Sequence, residues 1–187
     1  MARYFKLTDD MRVPRRWHLR APRDEQGHEV HPWQFFEGKK LEPQGIIRFP
    51  VRPAGLALDF TLDSFAIPVV HERVVHLLER QDVQDVQFIP VEVEGQQRPH
   101  FILNTLRTLR CIDDALCGEV RYFTPEDGQP ERVGQYRAVS GMKINPMKVG
   151  DARIFRPWGW PVALIVSEDL KEAMEEEDIT GTKFEEV

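Results

Sequence analysis

The chain has 187 residues, 41% hydrophobic and 30% charged, with eleven Phe and four Trp. That composition excludes a disordered, collagen-like or coiled-coil chain, and a domain of this length buries about 70% of its unfolded surface. A formal net charge of −6 disfavours a general nucleic-acid binder, because phosphate contacts ask for a basic face.

The charge is unevenly placed. Residues 1–53 carry 11 Lys and Arg against 7 Asp and Glu, and residues 54–187 carry 14 against 24, so a front of +4 joins a back of −10. A dipolar surface of this kind steers charged partners. The opening residues lack the apolar core of a secretory leader, and no apolar run approaches the roughly 18 residues that span a membrane. Cys111 and Cys117 are too few for a disulfide framework. The expectation is a reduced, cytoplasmic chain with buried thiols.

Residues 3–7 alternate and read as a first strand. Residues 12–45 carry four prolines and many charges, interrupted by Trp17, Trp33, Phe35 and Phe36. Aromatics at that density predict that segment 1–44 packs onto a domain formed by residues 45–187, the two making one compact unit. Residues 45–51 and 56–62 read as strands, the second with Leu56, Leu58, Phe60 and Leu62 on one face. The spacing of Val70, Val74, Leu77 and Leu78 predicts a helix over about 68–80, with Pro68 in its first turn. Residues 85–94 form a strand whose Pro90 marks an edge or a bulge, and a turn leads back into 99–103.

Further strands are expected at 118–123, 135–139, 152–155 and 162–166. Ser167 then caps a second helix over about 168–178, with Leu170, Ala173 and Met174 inward. Residues 182–186 close the chain as a strand after Gly181. Strands outnumber helices without βαβ alternation, so the fold class is α+β with a mostly antiparallel sheet and two main helices.

Few motifs carry chemistry. His28 and His31 are flanked by Gly27 and Pro32, so they read as exposed loop histidines and not as helical metal ligands. His71 and His76 stand five apart and do not share a helix face. Neither Cys111 nor Cys117 has a paired ligand at zinc spacing. A small metal- or thiol-dependent enzyme built on His28, His31, His100 or a cysteine is one alternative. Another is a module holding an anionic ligand on Arg12, Arg15, Arg16, Arg20 and Arg23.

The densest charge is Glu175, Glu176, Glu177 and Asp178, with Glu172 one turn upstream. Carboxylates at a helix C-terminus oppose the dipole, and a block kept at that cost suits a basic partner. Trp158 lies in Arg156-Pro157-Trp158-Gly159-Trp160-Pro161, a stiff loop that either seals one end of the sheet or anchors a protein partner. Glu172, Glu175, Glu176, Glu177, Asp178 and Trp158 are the candidate interface residues.

Three spaced blocks carry a resemblance. Pro99-His100-Phe101-Ile102-Leu103-Asn104 leads to Cys111-Ile112-Asp113. Ala152-Arg153-Ile154-Phe155-Arg156 leads to Gly159-Trp160-Pro161. Ile165-Val166-Ser167-Glu168-Asp169-Leu170-Lys171 leads to Gly181-Thr182-Lys183-Phe184-Glu185. In this order they resemble a bacterial immunity-protein family of the polymorphic toxin systems, formerly a domain of unknown function, over residues 45–187. The resemblance implies a cytoplasmic protein that binds and neutralises a cognate toxin by occlusion, protecting the producing cell and its kin. It implies no catalytic residues; no cofactor, no metal and no direct contact with nucleic acid or membrane are expected. A basic toxin such as a nuclease suits the acidic back of the chain. The resemblance also implies core or turn roles for Phe101, Ile154, Phe155, Trp160, Gly181 and Phe184. His71 departs from it, standing where a small hydroxyl residue is expected to cap the first helix.

Overall fold

Among residues 2–187, which the computed structural model describes, twelve strands and two α-helices form two five-stranded sheets and one hairpin. The first sheet holds, in spatial order, β12 (Thr182–Glu186), β1 (Tyr4–Asp9), β11 (Leu164–Ser167), β10 (Ile154–Pro157) and β7 (Thr108–Leu109). The second holds β2 (Ile47–Phe49), β5 (Val86–Val93), β6 (His100–Thr105), β4 (Pro68–His71) and β3 (Phe60–Leu62). β8 (Glu119–Tyr122) pairs with β9 (Tyr136–Ser140).

The fold is α+β, with mixed sheets in place of the expected mostly antiparallel one. β2 runs parallel to β5, and β7 parallel to β10. Turn signals report local reversals only. Strands joined by excursions as long as that from Phe49 to Val86 are free to add at an edge in either sense.

The first helix, α1, is Glu72–Arg80, and residues 68–71 are strand β4. Val69 and Val70 alternate between the two faces of the second sheet, as β-branched residues do in a buried strand. Pro68 opens a strand and not a helix. His71 takes the capping position itself, its Nδ1 accepting from the Arg73 amide at 3.2 Å. Imidazole thus replaces the hydroxyl that the resemblance led us to expect.

Leu56 is exposed and outside β3, so the strand expected over 56–62 keeps only its last three residues. Pro90 sits in β5 just before Val91, where β2 begins to pair, so it occupies the stretch of β5 that is still an edge. The second helix, α2, spans Glu168–Glu176. Ser167 holds its N-cap position without a side-chain bond, and the Glu168 amide instead donates to the Arg3 carbonyl at 3.1 Å.

Three apolar layers hold the sheets. Between them, Phe5, Leu7, Ile154 and Val166 of the first sheet meet Phe60, Val70 and Leu103 of the second, with α1 and α2 contributing Val74, Leu77, Leu78, Leu170 and Met174. On the outer face of the second sheet lie Trp17, Leu19, Phe35 and Phe36, against Phe49, Val69 and Ile102. The Trp17 indole, 1% exposed, donates to Thr61 Oγ1 at 2.8 Å. The outer face of the first sheet, Tyr4, Phe155 and Ile165, is covered by Cys111, Met142, Ile144 and Val149. Gly181 packs so tightly that a Cβ there would stand 2.3 Å from the Phe60 carbonyl, at a φ of +89° that favours glycine.

Candidate functional site

α2 lies on the inner layer through Leu170, Ala173 and Met174, which turns Glu172, Glu175 and Glu176 to solvent. Asp178, at a φ of 49°, ends the helix and is also exposed. Glu177 is engaged within the chain. Arg80 donates to its two carboxylate oxygens at 2.5 and 2.6 Å, and Arg73 donates to its carbonyl at 2.7 Å. Glu175 holds Lys171 at 2.6 Å. The expected acidic face therefore consists mainly of Glu172, Glu176 and Asp178, with Glu175 half-neutralised.

A buried carboxylate fixes the turn after this face. Asp59 Oδ2 accepts from Arg73 Nη1 at 2.7 Å and from the Thr180 amide and hydroxyl at 2.9 Å each. The sequence gives no hint of this hub, because 121 residues separate Asp59 from Thr180.

Trp158 lies elsewhere. Its indole carries the Arg110 guanidinium 3.4 Å above the ring centre. It lines a groove of about 490 Å³ with Phe36, Glu37, Lys39, Gln135 and Pro161. Its amide donates to the Leu109 carbonyl at 2.8 Å on the β7 edge of the first sheet, and no hydrogen bond or ring contact among the described residues joins it to the acidic run.

The histidines expected to matter are dispersed. His28 and His31 are exposed on their loop, His28 within 3.4 Å of Asp24. The structure instead brings together His71 and His100, opposite each other in the β4–β6 register with ring centres 5.3 Å apart. Sequence spacing does not pair them, since the helical period over about 68–80 takes in His71. They line a cleft of about 300 Å³ with Asp59, Arg73, Gln96 and Arg98. His71 Nδ1 accepts the Arg73 amide, and His100 Nδ1 lies 2.9 Å from the Arg98 carbonyl, to which it must donate. Burial holds His100 below the ordinary imidazole range, so it stays neutral. The cleft lining offers no hydroxyl, thiol or amine nucleophile beside the pair.

Cys111 is buried, and burial pushes its thiol up to about 11, far from thiolate reactivity. Among the described residues no three His, Cys, Asp or Glu side chains converge as metal ligands. The basic stretch is largely committed. Arg16 is buried and pairs with Asp9 at 2.5 Å, and Arg12 pairs with Asp10 at 3.0 Å. Arg23 donates to the Gly27 carbonyl at 2.7 Å. No helix of the described residues is long and apolar enough to cross a membrane.

The sequence model described as Immunity protein family (Imm11) matches residues 1–187. The chain belongs to this family. No curated protein matches it in sequence. The Imm11 match takes in the segment 1–44 as well as the blocks after residue 45. The Imm11 positions quoted for the resemblance divide in the structure. Ile154 and Phe155 are fully buried and Gly181 is enclosed, whereas Phe101, Trp160 and Phe184 are half-buried.

Proposed function

We propose that this Imm11 protein is an immunity protein of a polymorphic toxin system. It acts in the cytoplasm by binding a cognate toxin domain and occluding it, which protects the producing cell and its kin. The observation that carries the reading is the family match over the whole chain. The exposed carboxylates of Glu172, Glu175, Glu176 and Asp178 support an electrostatic contact with a basic toxin such as a nuclease. Occlusion asks for a rigid scaffold, which three packed layers supply.

The test is co-expression with the toxin domain encoded beside the gene. Protection together with a one-to-one complex is the expected result, and killing unchanged by the chain would end the reading. Changing Glu172, Glu175, Glu176 and Asp178 to Gln should weaken the complex and flatten its salt dependence. An unaltered salt dependence would remove these residues from the interface.

The His71–His100 cleft favours a second reading, acid–base chemistry on a small ligand. It requires that His100→Asn abolish protection while the toxin still binds.

A further inference from the structure

Three arginines near the Trp158 groove have no carboxylate within ion-pair distance among the described residues. Each lies on an aromatic ring. Arg110 stands 3.4 Å above Trp158, Arg132 stands 4.0 Å above Phe123, and Arg156 stands 4.6 Å above Phe36. Trp158 and Phe36 are walls of the groove. Arg132 joins it through the next wall residue, since the Gln135 amide donates to the Arg132 carbonyl at 2.9 Å.

Arg156 is the least expected of the three. It is 1% exposed, and a buried guanidinium is ordinarily paired. Here Nη1 donates to the Pro161 carbonyl at 2.6 Å, while Nε and Nη2 have no acceptor. Burial lowers its pKa to about 9, which leaves it cationic at neutral pH. Its charge thus lies behind two walls of the groove, Phe36 and Pro161, in a medium that screens poorly. Lys39 adds a cation at the rim, partly offset by Glu37 at 3.1 Å.

A guanidinium laid flat on a ring still donates in its own plane, where a carboxylate takes two N–H groups at once. Half-exposed Trp beside Arg is also the composition of interface anchors. We propose that this groove is the docking site for a carboxylate-bearing segment of the partner protein, with Arg110 and Trp158 as its anchors. The partner in question is the toxin proposed above, so the assignment rests on that reading. It separates Trp158 from the acidic end of α2: the partner meets two contacts of opposite sign. A protein segment suits the groove better than a nucleic acid. A segment with single carboxylates among apolar side chains can set them on Arg110 and away from Glu37 in the lining, which a continuous phosphate backbone cannot do.

The test uses the full chain, isotopically labelled, and follows the Trp158 indole N–H resonance, identified by its loss in Trp158→Phe. The probes are a blocked peptide with single Asp and Glu residues spaced by Leu and an oligothymidylate of the same charge. The peptide should move the Trp158 resonance saturably at low ionic strength and be released by salt. Arg110→Glu, an exposed change that leaves the fold intact, should weaken the peptide at least about tenfold. An unmoved Trp158 resonance overturns the proposal, as does an oligothymidylate that binds as tightly as the peptide. Toxin plays no part in this measurement. Its failure is therefore distinct from a failure of protection in the co-expression experiment, which bears on the toxin reading alone.

Discussion

Replacing Asp59 with Ala tests whether the turn after α2 is held from within the fold. Asp59 Oδ2 accepts three hydrogen bonds, one from Arg73 and two from Thr180. The Asp59 side chain is 12% exposed and that of Arg73 is 44% exposed. A freed Arg73 regains water, so its ion pair contributes no more than the roughly 0–1 kcal/mol of a surface pair. The two Thr180 donors lose a charged acceptor, at about 1.5 kcal/mol each for part-buried groups. The expected loss is therefore about 3 kcal/mol, a large share of the stability of a domain this size. Asp59→Asn keeps one oxygen for Thr180 and should lose only about 1 kcal/mol. Urea unfolding reads both values as shifts of the midpoint at constant slope. Hydrogen exchange at the Thr180 amide should accelerate in Asp59→Ala beyond what global destabilisation explains. A loss in Asp59→Ala below about 1 kcal/mol would refute the reasoning, because the hub would then be incidental.

Arg16→Met should destabilise by about 3–5 kcal/mol, since it leaves Asp9 enclosed without its cation; a normal denaturation midpoint would return Arg16 to the anion-binding reading. Trp17→Phe should lose about 1–3 kcal/mol, chiefly because Thr61 keeps a buried hydroxyl without its donor, and thermal unfolding checks it. Asp63 supplies a pH dependence of defined sign. Burial raises its carboxyl to about 6 although Oδ1 accepts the Phe65 and Ile67 amides. The native state then holds the proton longer than the unfolded chain, so stability falls as pH rises from about 4 to about 6, by about 3 kcal/mol from this group. Asp63→Asn should remove that fall, and identical pH profiles for the two proteins would contradict it. Gly181→Ala should cost about 2–4 kcal/mol, from the +89° φ and the contact with the Phe60 carbonyl.

Local chemistry alone placed β1, β12, the hairpin of β8 and β9, and the inward face of α2. Each is written in a period of two or 3.6 residues, and every strand but β1 stands beside a turn glycine or proline that acts over a few bonds. The same local rules misread residues 68–71. Val70, Val74, Leu77 and Leu78 fit a helical face, and only pairing with β3 and β6 turns the first of them into a strand. The apolar period is identical in both states until a neighbouring strand claims the backbone amides.

What the sequence by itself determined is the family, the α+β class, the acidic end of α2 and the apolar residues that make the layers. The tertiary structure alone decided that the sheets are mixed, that His71 meets His100, that Asp59 clasps Thr180, and that Arg156 lies unpaired behind the Trp158 groove. Contacts between positions far apart in the chain leave no periodic trace, because loop closure is set by the whole fold. Whether an arginine is buried and unpartnered depends on which distant carboxylates the fold brings near, and no spacing along the chain records that.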